Sequence, residues 1–292
     1  MSPRAWWAAR ATRRNTSTIF LESTLAQVAW QRTRKAVARW AWAGLLCGAI
    51  VGMIVFAPAT WLARAVASAS GERVLLADAR GSIWNGSAVP VLSGGPESRD
   101  AALLPGRLQW SMGLRAWGFE LHLRQECCIA GEVVLQIRPG LGNVEARLLP
   151  GGASLGEWPA ALLTGLGAPW NTLQPGGSLR LTSPGLTVEV ARGRWRINGQ
   201  ADLELHNLSS RLSTLERLGS YRLHLDGSTP TPTLTLSTVE GALLLNGSGQ
   251  WTDSHFRFRG EARAAPGFET ALDNLLNILG RRQGALSLLS IG

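Results

Sequence analysis

Apolar and polar residues take turns along most of the chain beyond Arg64. Phe119, Leu121 and Leu123 alternate with Glu120, His122 and Arg124, and Leu186, Val188 and Val190 with Thr187 and Glu189. The same period recurs at Leu203 and Leu205 against Asp202, Glu204 and His206, at Tyr221, Leu223 and Leu225 against Arg222, His224 and Asp226, and at Phe256 and Phe258 against Arg257 and Arg259. Successive side chains of a strand point to opposite faces, so the pattern predicts antiparallel strands with one dry and one wet face. Gly and Asn-Gly breaks separate the runs at hairpin spacing, giving about ten to twelve strands. The fold class is therefore mostly β, either a sandwich or a long curved sheet with an apolar groove.

Two stretches depart from the alternation. Leu155 to Leu166 is short and broken by Pro159. Pro266 to Arg282 places Phe268, Leu272, Leu275, Leu276 and Leu279 at helical spacing, opens with Pro and closes at Gly280 before two arginines, which predicts a C-terminal helix. Asn-Gly occurs at Asn85-Gly86, Asn198-Gly199 and Asn246-Gly247 in similar contexts. The pair suits the positive φ angles of a tight turn, so each is expected at a hairpin tip. Their unequal spacing is no solenoid period.

Between Arg39 and Arg64 no residue is charged. Trp40 to Ala57 is 18 residues, and continuing past Pro58 to Leu62 gives 23. A signal h-region runs about 7 to 15 residues, whereas about 20 are needed to cross a bilayer. Ala67-Ser-Ala69 has the small residues of a cleavage site but lies about three turns beyond Pro58, too far to follow an h-region directly. The reading is a retained transmembrane helix over 40–62, with Trp40, Trp42 and Trp61 in the headgroup zones. Residues 1–39 carry +7 of the chain's formal +9, so this tail is expected in the cytoplasm and residues 71–292 form a β-rich domain on the other side. Removing the tail leaves +2, and the basic pI of 11.1 then no longer argues for nucleic-acid binding.

The inventory of reactive groups points away from catalysis. His122, His206, His224 and His255 fall on the polar side of alternating runs, which predicts solvated strand residues rather than metal ligands. No metalloprotease, nucleophile-elbow or phosphate-loop spacing occurs. Asp202 and Glu204 share a strand face, but acid/base work needs burial to separate their pKa values, and alternation turns both outward. No catalytic residue, cofactor or metal is assigned. Cys127 and Cys128 are expected to be two residues of a strand, one thiol buried and one exposed, because adjacent Cα atoms are closer than in the usual disulfide. Thirteen tryptophans are many for 292 residues. Trp84, Trp110, Trp117, Trp195 and Trp251 read either as core fillers or as contact residues, and the sequence does not separate the two.

The apolar run followed by Pro58–Leu62 (PATWL) and Gly81–Gly86 (GSIWNG) resembles the opening of the type II secretion system protein N family. Leu218–Gly227 (LGSYRLHLDG), Leu234–Trp251 (LTLSTVEGALLLNGSGQW), Leu275–Arg282 (LLNILGRR) and Leu289–Gly292 (LSIG) are similar to that family's closing motifs, in order. The likeness covers residues 36–292. It implies a single-pass inner-membrane protein, its bulk in the periplasm, that works with other type II secretion components to export folded proteins through an outer-membrane secretin. The family is itself similar to the AsmA-like proteins, whose long periplasmic sheets imply a groove that accommodates lipid. In the family the span begins near the chain start, which supports reading residues 1–30 as an upstream extension.

Overall fold

The computed structural model describes residues 40–151, 154–191, 194–252 and 255–291. The basic tail therefore lies outside the described residues. The chain divides into two units, Met1–Ala57 and Pro58–Gly292.

In the first unit, residues 40–55 form a helix, α1. The expected single helix over 40–62 is corrected: α1 stops at residue 55, and a second helix, α2 (Ala59–Ala69), belongs to the other unit. Pro58 explains the break, since it lacks an N–H and drives the preceding residue out of the helical region. No helix among the described residues is long and apolar enough to cross a membrane.

The second unit is built on one antiparallel sheet of 16 strands. These are β1 (Val74–Gly81), β2 (Asn85–Ser93), β3 (Ala101–Leu103), β4 (Leu108–Arg115), β5 (Gly118–Arg124), β6 (Val133–Pro139), β7 (Asn143–Leu148) and β8 (Gly156–Pro159). They continue with β9 (Pro175–Ala191), β10 (Arg194–Ser210), β11 (Gly219–Asp226), β12 (Thr233–Gly241), β13 (Leu243–Thr252), β14 (His255–Ala264), β15 (Arg281–Gln283) and β16 (Leu286–Ile291). The spatial order is β1-β2-β4-β5-β6-β7-β9-β10-β11-β12-β13-β14-β16-β15, with β3 beside β2 and β8 beside β9. Strands adjacent in sequence are thus adjacent in space almost throughout. At about 4.8 Å per strand the path is about 60 Å wide. It is an open sheet and not a sandwich.

The dry face is covered in three places. Leu272, Leu275 and Leu276 of helix α4 (Glu269–Leu279) pack with Leu218, Ala242, Leu243 and Ala262, as the helical spacing predicts, and Leu173 of the one-turn helix α3 (Trp170–Leu173) joins them. Phe268, expected in that stripe, instead precedes α4 and is exposed. A 3-10 stretch, Ala160–Leu166, sets Ala160 against Leu179, Leu205, Leu208 and Tyr221. Ala59 of α2 joins Ala88 and Trp110. The Leu155 to Leu166 stretch is therefore part strand, β8, and part 3-10 helix, with Pro159 at the junction.

None of the three Asn-Gly pairs forms a hairpin tip. Asn85-Gly86 opens β2, Asn198-Gly199 lies inside β10 and Asn246-Gly247 inside β13. What two of these sites need is room for a cross-strand ring. A Cβ at Gly86 would lie 2.5 Å from Trp110 Cζ2, and one at Gly247 would run into the Phe258 ring. Gly199 has φ +108 beside a break in the β9 to β10 register, the bulge role of a strand glycine.

Candidate interaction surface

The wet face is a lattice of cross-strand ion pairs. Asp202 faces His224, whose Nδ1 is 2.8 Å from Oδ1. Glu204 accepts from Arg222 Nε and Nη2 at 2.9 and 2.6 Å. His206 Nε2 lies 3.1 Å from Glu204 Oε2 without the alignment of a hydrogen bond. His122 Nδ1 lies 3.1 Å from Glu132 Oε1, and Arg115 donates to Glu120 at 2.6 Å. The side chain of His255 is outside the described residues.

Asp202 and Glu204 are thus satisfied by different partners rather than by each other. Hydrogen bonding to Arg222 holds the Glu204 carboxyl below its ordinary range, and Arg115 does the same for Glu120. A depressed folded-state pKa contributes stability that is present above the unfolded value and lost as pH falls through the folded one. Thermal stability should therefore be flat from pH 7 to about 5 and fall below about pH 4, where unfolded carboxylates take up protons. A melting temperature that rises on acidification from pH 5 to 3 would contradict these pairings.

Cys127 and Cys128 are joined in a disulfide, with Cα atoms 3.7 Å apart. The strand expectation fails because both lie in the turn between β5 and β6, where Cys128 N and Ile129 N donate to Gln125 O. Neighbouring side chains of a strand point to opposite faces, and a turn frees them from that constraint. Cys128 is buried and Cys127 exposed.

A cleft of about 840 Å³ lies where β9 begins and β10 ends, lined by Asp100, Asn171, Gln174, Ser209, Arg211 and Glu216 among others. Asn171 Nδ2 donates to Asp100 Oδ2 at 2.9 Å. Among the described residues that line the cleft there is no histidine. Among the described residues, no group of three or more His, Cys, Asp or Glu is arranged to hold a metal ion.

The dry face is the more unusual surface, because much of it is uncovered. One row runs Met112, Leu121, Leu135, Leu148, Leu186 across β4, β5, β6, β7 and β9. A second runs Leu114, Phe119, Ile137, Ala146, Val188, Ile197, and a third Val144, Val190, Trp195. Every one of these side chains is half-buried or exposed. Leu121 packs against the Ala59, Ala88 and Trp110 cluster, but the covering segments otherwise lie over other parts of the sheet, and β9 and β10, at 17 residues each, run past them.

The tryptophans divide between roles. Trp110 is 3% exposed and donates from Nε1 to Ser82 O and Ile83 O, both at 3.2 Å. Half-buried Trp84 and Trp251 meet Phe119 and Phe256 at ring separations of 6.1 and 4.4 Å. Trp117 and Trp195 are 87% and 65% exposed. Tyr221 went unmarked by the sequence except as one more apolar position. It is fully buried and donates to Leu243 O at 2.8 Å, and burial pushes its hydroxyl pKa up.

The described surfaces are thus one broad open antiparallel sheet, with cross-strand ion pairs on one face and apolar rows left partly uncovered on the other. Over residues 72–288 the chain matches the family of type II secretion system (T2SS) protein N, and it belongs to that family. No curated protein and no solved structure matches it.

Proposed function

We propose that this protein is a non-enzymatic component of the type II secretion apparatus, anchored in the inner membrane by its apolar run and placing its sheet in the periplasm. The observation that carries this is the family match, which extends over nearly the whole sheet unit. The orientation rests on the +7 flank before Trp40. Crosslinking in the intact envelope, with the full chain as bait, should recover another component of the apparatus; recovery of none would remove the assignment. A reporter active only in the periplasm should work when fused after Gly292 and fail when fused after Thr33. Activity after Thr33 would reverse the topology.

The uncovered rows favour a second reading, in which lipid acyl chains lie along Leu135, Leu148 and Leu186 as in an AsmA-like groove. Few monomers leave so long an apolar surface open. Full-length protein would then purify with about one phospholipid or more per chain, and lipid-free protein would end this reading.

A further inference from the structure

Five of the large exposed apolar residues of the sheet unit cluster, while Leu103, Val239, Phe268, Ile278 and Leu288 lie on other elements. Leu114 and Trp117 belong to the β4–β5 hairpin, Leu141 and Val144 to β6–β7, and Trp195 to β9–β10. The antiparallel register puts all three turns at one end of the sheet, on consecutive pairs of its path. Trp117 and Leu141 project at the tips, the latter with 109% of its reference exposure. The β11–β12 turn at the same end is polar, Gly227 to Pro232 reading GSTPTP.

Cations lie among these residues. Arg138, Arg194 and Arg196 are exposed at the ends of β6 and β10, and no described residue forms an ion pair with them. Arg115 is tied to Glu120. The acids beside these arginines are Glu145, opposite Arg138, and Glu189, opposite Arg196 and accepting from Asn143, and Asp226 flanks the polar β11–β12 turn. Indole rings, single leucines and arginines on protruding tips are the composition that settles into a headgroup layer.

Where the chain enters decides what this end meets. Pro58, first residue of the sheet unit, bridges Ser82 in the turn joining β1 to β2. Ser111 pairs with Asn85, and Met112 N donates to Trp84 O, so that turn points to the same end as the β4–β5 hairpin. The apolar run 40–57 is thus joined to the sheet at the end that carries the rim. Trp61, one turn into α2, is exposed close to that junction.

We infer that this end of the sheet rests on the anionic surface of the bilayer that holds the anchor, with Trp117, Leu141 and Trp195 in the headgroup zone and Arg138, Arg194 and Arg196 on lipid phosphates. The inference rests on the reading of residues 40–57 as a membrane anchor. Its consequence is a sheet held against the membrane at one end, its uncovered rows leading away from the lipid surface.

The test is photo-crosslinking of the full chain in intact cells, with p-benzoylphenylalanine in place of Trp117, Leu141 or Trp195 in turn, and Ile50, Leu135 and Thr229 as comparison positions. Phospholipid adducts at the three rim positions and at Ile50, with none at Thr229 or Leu135, are the expected result. Combining Arg138→Glu and Arg194→Glu should then cause loss of the Trp117 adduct. Protein adducts at the rim would make it a docking site and overturn the inference. Lipid adducts at Leu135 as well would mean lipid lying along the face, which also overturns it. Adducts at Ile50 with none at the rim would leave the anchor standing and the rim refuted, whereas none at Ile50 would refute the anchor itself.

Discussion

Leu276→Asp releases helix α4 from the sheet, so that full-length protein in detergent becomes protease-sensitive near its C-terminal end and melts at a lower temperature. Leu276 is 1% exposed and packs in one cluster with Leu272, Leu275, Leu243 and Ala262. Truncating a buried leucine costs about 2 to 5 kcal/mol, and an unpaired carboxylate in the same place adds desolvation that no cation there relieves. The expected loss is about 4 kcal/mol or more, a large share of the 5 to 15 kcal/mol typical of a domain. Two neighbours give the contrast. Asn277 is exposed, and Asn277→Ala should change stability by less than about 0.5 kcal/mol. Asp273 accepts from Arg282 Nη2 at 2.8 Å on the surface, so Asp273→Ala should cost about 0 to 1 kcal/mol. An unchanged melting temperature for Leu276→Asp would mean that α4 is not part of the core.

That stripe was legible because a helix covering a sheet needs only its own periodicity, and Leu272, Leu275 and Leu276 supply it locally. Strand faces were legible for the same reason: the predicted pairs of Phe119 with Leu121, or Leu203 with Leu205, do share a face. What could not be read was which parts of that face are covered. Leu186 and Leu205 sit in the same alternating pattern, yet Leu205 is buried beneath Ala160 and Leu186 is left half-buried. The difference is set by where a 3-10 stretch more than 20 residues away comes down, and no local pattern encodes that. The Asn-Gly pairs misled in a related way. Turn propensity is a statement about backbone freedom, whereas Gly86 and Gly247 are there for the bulk of a ring on the next strand. The disulfide was missed because separation along the chain was judged as though both cysteines sat in a strand.

The tryptophans test the same distinction most sharply. Trp110→Ala should cost about 3 to 5 kcal/mol, because it empties the space that Gly86, Ala59 and Ala88 leave for one indole and strands the carbonyls of Ser82 and Ile83. Those carbonyls belong to the turn that Pro58 bridges, so the damage should centre on the junction of α2, β1 and β2 and appear as faster hydrogen exchange there. Trp110→Phe keeps most of the ring but not the donor, and should recover part of the loss. Trp117→Ala, seven residues on and on the next turn of the sheet, should shift the melting temperature hardly at all, within about 0.5 kcal/mol. Its ring touches solvent over 87% of its reference surface, so its removal takes away nothing that folding has buried. Equal destabilisation by the two would show that the β4–β5 tip is packed and not free, and the rim it helps to form would lose its claim on the membrane.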